Sequence, residues 1–326
     1  MTITRHWFAA FALLLFVSCG RSNSANNTEN AGNTGKNIVS ISFSGAFALY
    51  PLAQKWAEAY NKTHPDIRFD IQAGGAGKGL TDALSGAVDV GMFSREITDA
   101  EKSKGVWYIA LCKDAVIPTI NPANPYINII HDRGITKDQF KAIFVDQNVK
   151  TWDDLLSIKG GKEAKIDVFT RSDASGAADS WAAFFGKKQE NLKGLGMNGD
   201  PGVSDAVKRD KNGIGYNNTL FLYDIRTGKP IPGIEAVPID VNGNGKIDDD
   251  EKNYSDLNTF LKAVNDGKFP SPPARDLYFI TKGKPAKKEV LDFFNWVLSD
   301  GQQLVQSAGY VPLPQNVISE QINKLH

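Results

Sequence analysis

Cysteine and histidine are scarce in this 326-residue chain, with two of the first and four of the second. Two cysteines cannot staple a disulfide scaffold. His6, His64, His131 and His326 fall into no His-x-x-x-His or Glu-x-x-His pattern, which argues against a zinc cluster. No Gly-x-Ser-x-Gly elbow is present, so a histidine-based hydrolase has no nucleophile turn to use. A surplus of one charge is missing too: 37 basic residues balance 37 acidic ones. A general nucleic-acid binder needs a basic face against phosphates, so the balance argues for no nucleic-acid partner. No apolar run approaches the roughly 20 residues of a membrane-crossing helix. What remains, 41% hydrophobic and 23% charged, is the composition of a globular protein long enough for one large domain or two medium ones.

The longest apolar run lies at the start. Residues 8–17 (FAAFALLLFV) follow Arg5 and have the length of a signal-peptide h-region. The run ends in Phe16-Val17-Ser18-Cys19, a relaxed match to a bacterial lipobox, with Phe16 in place of the usual leucine. Residues 1–18 thus read as a signal peptide and Cys19 as a lipidated mature N-terminus. The stretch that follows, to residue 37, is almost devoid of large apolar side chains. It buries too little area to offset its ordering entropy and reads as a flexible tether. Lipidation of Cys19 leaves Cys112 without a disulfide partner, and its apolar neighbours (residues 108–111, YIAL) predict a buried, inert thiol.

From residue 37 the chain alternates strands and helices. Residues 37–43 (NIVSISF), 67–72 (IRFDIQ) and 88–93 (VDVGMF) read as strands, and 106–111 and 115–120 as two more. Leu49, Leu52, Trp56 and Tyr60 keep helical spacing. The glycine-rich segment 73–79 (AGGAGKG) reads as a turn before a helical 80–84. The alternation resumes with strands at 166–170, 213–216, 234–239 and 276–280, a helix over 177–185, and an amphipathic helix carrying Val290, Phe293, Phe294, Val297 and Leu298. Repeated strand–turn–helix units predict an α/β fold with largely parallel sheets.

The turns between these units carry the chemistry. Residues 44–47 (SGAF), 74–77 (GGAG) and 171–176 (RSDASG) are small-residue junctions that open helices, and Ser94-Arg95 closes a strand. Free N–H groups at a helix start, together with the helix dipole, favour an anion. Arg95 and Arg171 add fork-shaped donors suited to a tetrahedral oxyanion. A Walker A loop is excluded, because Lys78 precedes Gly79 rather than a hydroxyl residue. Ser175 or Asp173 also reads as a cap for the helix behind it.

Together and in order, residues 44–52 (SGAFALYPL), 87–95 (AVDVGMFSR), Phe144 with 152–155 (WDDL), 171–176, 213–216 (GIGY) and 296–314 (WVLSDGQQLVQSAGYVPLP) resemble the periplasmic phosphate-binding proteins of ABC importers, the PstS type. The resemblance spans nearly all of residues 38–314. It implies a two-lobed, hinge-linked periplasmic-binding-protein fold, with residues 38–120 plus 276–326 as one lobe and 121–275 as the other. By the same resemblance Ala46, Phe47 and Ala48 approach the anion, and Ser94 and Arg95 bind it from the same lobe. Arg171, Ser175, Gly176 and Ala177 close from the other lobe. Phe47, Ala76 and Ala177 stand where the family tends to carry hydroxyl residues, while the backbone donors survive. Telling phosphate from sulfate calls for an acceptor of the phosphate's own proton. Asp173 is the first candidate, unless it merely orients Arg171, and Asp179 is the second.

A separate motif occupies residues 240–251 (DVNGNGKIDDDE). Asp240, Asn242, Asn244, Lys246 (through its carbonyl), Asp248 and Glu251 hold the ligand positions of a twelve-residue calcium loop, and Gly245 holds its sharp turn. A strand rather than a helix is expected before it. The motif therefore predicts a single structural calcium ion, not a paired EF-hand sensor. The alternative is an Asn-Gly hairpin with acidic flanks.

These readings predict a monomeric binding protein, not an enzyme, that captures phosphate and delivers it to an inner-membrane ABC permease. It would be periplasmic and held to the membrane only through its lipid. The alternatives are a binding or sensing protein for another oxyanion, or an exported phosphohydrolase using the same pocket.

Overall fold

Strand–turn–helix units follow one another from Val39 onward, as the alternation predicts. The computed structural model describes residues 38–326. The expected signal peptide, the Cys19 lipidation site and the tether lie outside the described residues. Strands β1 (Val39–Gly45), β2 (Ile67–Ala73) and β3 (Val90–Phe93) alternate with helices Tyr50–Asn61 and Ala76–Ser85. Strand β4 (Val106–Ile120) runs for 15 residues without a break, where two strands were expected. Then come β5 (Ile135–Thr136), β6 (Asp167–Arg171), β7 (Leu195–Met197), β8 (Gly213–Asn218), β9 (Glu235–Ala236), β10 (Ile239–Asp240), β11 (Ala274–Lys282) and β12 (Val311–Pro312).

The main sheet runs β2-β1-β3-β11-β4-β8-β6-β7, with β9 and β12 also paired to β4. Its outer strands are parallel: β1 with β2 and β3, and β6 with β7 and β8. The middle is antiparallel, where β4 and β11 pair with each other, β11 with β3, and β4 with β8. The sheet is therefore mixed, each parallel half being joined to the other by two long antiparallel strands.

Two hydrophobic cores flank this crossing. One gathers residues 41–112 and 277–325, including Phe43, Trp56, Phe279 and Phe293. The other gathers residues 115–274 with Val311, including Phe144, Trp181, Tyr216 and Phe260. Each is one lobe. The changeover falls inside β4, between Cys112 and Ala115, and inside β11, between Ala274 and Leu277, rather than in loops. Helix Tyr50–Asn61 shows how sequence dictates placement. Pro51 in its first turn is preset for helix, and Leu52, Ala53, Trp56, Ala57 and Tyr60 form its buried face. Each large apolar side chain so buried contributes about 1.5–3 kcal/mol. Cys112 is a free thiol buried in β4, and burial pushes its pKa well up.

The glycine segment 73–79 is not all turn, because helix Ala76–Ser85 begins inside it. Gly79 lies on that helix where a Cβ would stand 2.6 Å from the Met92 carbonyl oxygen and 2.9 Å from Gly45 Cα. The glycine lets the helix backbone lie directly on the strand ends.

Candidate functional site

The C-terminal ends of the parallel strands of both lobes meet at one small pocket. Ala46 and Phe47 follow β1, Gly75 and Ala76 follow β2, and Ser94 follows β3. From the other lobe come Arg171 at the end of β6, Ser175, Gly176 and Ala177 after it, Asp200, and Asn218 at the end of β8. These residues line one tightly closed pocket between the lobes. Helices Ala76–Ser85 and Gly176–Phe184 both start at the pocket wall, so two helix dipoles place partial positive charge there.

Several donors at this pocket are unspent. The backbone N–H groups of Phe47 and Gly176 have no acceptor among the described residues. The Ser94 hydroxyl, in a residue only 2% exposed, makes no hydrogen bond there either. Donors left free at a pocket wall are available to a ligand acceptor. Ser175 is the N-cap of its helix: its Oγ accepts from Ala177 N at 3.1 Å and Ala178 N at 3.2 Å. Capping and pocket lining thus coincide at this serine, and Ala177 needs no hydroxyl for the turn to hold.

Arg171 is the buried cation of the pocket. Its Nε and Nη2 donate to the two oxygens of Asp173, at 2.7 and 2.5 Å, and its Nη1 donates to Asp200 Oδ2 at 2.6 Å. The Phe47 ring lies 5.3 Å from its guanidinium carbon. Burial pulls the guanidinium pKa down, but Asp200 and Asp173 outweigh that and leave it above the ordinary value. Asp200 is fully buried, and Asn218 donates to it from its backbone N (2.9 Å) and its Nδ2 (2.8 Å).

Four expected site residues take other positions. Arg95 is outside the pocket lining. Its guanidinium grips Glu101 at 2.6 and 3.1 Å, and its Nε forms an ion pair with Asp179 of the opposite lobe at 2.8 Å. The salt bridge consumes both Arg95 and the candidate acceptor Asp179, and makes the pair an interlobe contact. Burial raises the Asp179 pKa, which Arg95 partly offsets. Asp173 accepts from Arg171 with both oxygens and from Gly199 N at 3.1 Å, so it orients the arginine rather than facing the pocket. Ala48 also lies beyond the lining, and its carbonyl accepts from Tyr310 Oη at 2.7 Å.

The pocket is closed by contact between the lobes. Gly77 N donates to Ala174 O at 2.9 Å. A Cβ on Gly75 would sit 2.6 Å from Asp173 Oδ2, and one on Gly199 would sit 2.8 Å from the Phe47 ring. Sequence reasoning missed Asp200 and Asn218. No local pattern marks them, and only the helix Gly199–Arg209 and β8 bring them to Arg171.

The 240–251 loop follows β10, a strand as expected. Asp240, only 2% exposed, accepts from Gly243 N, Asn244 N and Gly245 N. Glu251, 6% exposed, accepts from Val241 N, Asn242 N and Asp248 N. The Asn242 and Asn244 amides converge on Asp248 Oδ2 at 2.9 and 2.7 Å, and Lys246 Nζ lies 2.6 Å from its Oδ1. Lys246 and the two amides hold the Asp248 carboxyl down to about 2. Ile247 N donates to Asp132 O at 2.9 Å, which pins the loop to its lobe. Among the described residues no group of three or more His, Cys, Asp or Glu side chains is gathered for a metal, so any cation here relies on the asparagine and backbone oxygens as well. Among those residues, too, no helix is long and apolar enough to cross a membrane.

Comparison with known proteins agrees with this architecture. A family model described as a PBP superfamily domain matches residues 25–301. The phosphate-binding protein PstS of Bacillus subtilis is 27% identical over 323 residues, covering 97% of this chain and 95% of that one. PstS of Pseudomonas aeruginosa is 28% identical and covers 91% and 89%. A phosphate ABC transporter substrate-binding protein of Clostridium perfringens, solved with bound phosphate, superposes with a TM-score of 0.67 at 23% identity, covering 84% of this chain and all of that one. An ABC-type phosphate transport receptor of Vibrio cholerae gives 0.59 at 20% identity, with 84% of this chain covered.

Proposed function

This chain belongs to the PBP superfamily, and on that premise we propose that it captures inorganic phosphate between its lobes and hands it to an ABC permease. The observation that carries this reading is the closed interlobe pocket, with Arg171, the Ser94 hydroxyl, free backbone N–H groups and two helix N-termini directed into it. Relatives named as phosphate-binding proteins support the choice of ligand. Binding rather than catalysis is the reading supported by relatives named as phosphate-binding proteins and by a pocket carboxylate tied to Arg171 and Asn218. The same proposal has the protein work outside the cytoplasm as a monomer, exported through residues 1–18 and anchored by a lipid on Cys19. Isothermal titration of protein stripped by mild unfolding tests the reading. Phosphate binding at micromolar concentration or below supports it, and turnover of a phosphate ester would replace it with the hydrolase.

Asp200 is the acceptor that sets selectivity. Asp200 is the carboxylate in the pocket lining; its Oδ2 is filled by Arg171 Nη1 and Asn218 Nδ2, while its Oδ1 keeps a lone pair beyond the bond from Asn218 N. Monohydrogen phosphate can donate its O–H to Asp200, whereas sulfate would meet a bare carboxylate. For Asp200→Asn the ratio of phosphate to sulfate affinity, read by competition titration, falls at least about tenfold, as expected for a lost charge-assisted bond of roughly 1.5–3 kcal/mol. An unchanged ratio assigns selectivity elsewhere.

The calcium motif belongs to the same proposal as a structural site. Asp240, Asn242, Asn244, the Lys246 carbonyl, Asp248 and Glu251 supply hard oxygen ligands. An ion there binds the folded loop only, so calcium at a hundredfold over its dissociation constant adds about 2.7 kcal/mol of stability. Calorimetric melting after chelation therefore shifts down and recovers on adding calcium but not magnesium. Glu251→Gln abolishes the recovery and leaves phosphate affinity unchanged.

A further inference from the structure

Beneath the pocket lies a second buried arginine, Arg275. It stands at the start of β11, in register with Asp114 of β4, where the two cores change over. Arg275 is 8% exposed and Asp114 3%. A buried arginine whose task is to neutralise a carboxylate would be expected to fork onto it, as Arg171 does onto Asp173. Arg275 does not. Its nearest approach to Asp114 is 3.6 Å, and neither Arg275 Nε nor Asp114 Oδ2 has a hydrogen-bond partner among the described residues.

The donors of Arg275 turn instead toward the pocket wall. Nη1 donates to the Gly176 carbonyl at 2.6 Å and to Ser180 Oγ at 3.0 Å, and Nη2 donates to Asn218 Oδ1. Gly176 is the first residue of the helix whose free N–H faces the ligand space. Asn218 is the residue whose N and Nδ2 hold Asp200, which in turn holds Arg171. One guanidinium at the interlobe crossing therefore fixes the anion-facing helix start and, through Asn218, the Asp200–Arg171 pair.

We infer that Arg275 is a positioning residue for anion capture, tying the crossing strands to the donors of the pocket. The inference rests on the phosphate reading above. A lysine keeps the charge but is a point donor and cannot serve the Gly176 and Asn218 oxygens in the same fork.

The test compares wild type, Arg275→Lys and Ser180→Ala in the full chain. Phosphate affinity is read by titration, the thermal midpoint by calorimetry, and amide hydrogen exchange over residues 175–180 without ligand. Arg275→Lys weakens phosphate binding about tenfold or more while its midpoint stays close to that of wild type, and exchange over 175–180 speeds up selectively. Ser180→Ala, which removes one neutral acceptor and keeps the fold, gives a two- to fivefold loss. Lysine affinity within twofold of wild type, with exchange unchanged, overturns the inference. If Arg275→Lys does not fold, Ser180→Ala decides alone, and full affinity with unaltered exchange overturns it. If wild type binds no phosphate, the capture reading fails separately. The exchange pattern then decides for Arg275, with selective loosening of 175–180 supporting it and uniform or absent change rejecting it.

Discussion

Gly176→Ala leaves the protein folded and weakens phosphate binding about five- to 150-fold. The glycine is the first residue of helix Gly176–Phe184, where alanine is the better helix former by up to about 1 kcal/mol. The lobe carrying it therefore gains or keeps stability. The cost appears only on closure. An added Cβ would stand 2.6 Å from the Ser94 carbonyl oxygen of the opposite lobe and nearer still to the Ser94 hydroxyl. Both are held by β3 and its turn and have little room to retreat. Overpacking of this kind costs about 1–3 kcal/mol, which sets the range of affinity loss. The opposite signs of the two effects make the result diagnostic. Titration and ligand-free melting on one preparation give both. A fall in the ligand-free midpoint together with affinity would point to damage within the lobe instead.

Arg171→Met has a larger effect, on stability and binding together. Methionine matches the volume but leaves Asp173 and the fully buried Asp200 without their shared cation. Breaking a buried ion pair from one side costs roughly 3–5 kcal/mol, since the surviving charge is stranded away from water. Urea unfolding should show that loss, and phosphate binding should fall below detection. Adding Asp200→Asn to the same chain removes one stranded charge and recovers part of the stability, while binding stays lost because the donor fork is gone. Recovery of binding in the double variant would show that the pocket does not depend on Arg171.

The parts of this site that follow one another along the chain were legible from it. The segment 171–176 announces a helix start with a cation and a capping serine, and the structure uses Ser175 in that way. The small residues at 44–47 and 74–77 likewise announce close backbone approach. What the chain order hides is partnership. Arg95 reads as an anion ligand by type and position, yet Glu101, six residues on, and Asp179, on the other lobe, claim its donors. Asp173 reads as the selectivity carboxylate because it is nearest to Arg171, and that closeness is why it is consumed by it. Asp200 and Asn218 carry no motif, and their roles arise only once β6 and β8 lie side by side. The fold class was legible through the period of its apolar residues. The antiparallel centre was not, because Lys113 and Asp114 interrupt the apolar run over 106–120, so the pattern alone reads as two strands.

The continuity of β4 has a mechanical consequence. A loop hinge behaves like a pin, free over its range and stiff at neither end. Here the link is a twin beam, two paired strands that are clamped in one core at Cys112 and Leu277 and in the other at Ala115 and Ala274. Opening the lobes must flex that beam over the span holding Asp114 and Arg275, and the register shift between Leu277 and Tyr278 softens it next to the bend. The lobes are thus joined through paired backbone rather than through a loop, and the Gly77–Ala174 and Arg95–Asp179 contacts act beside it in holding them together.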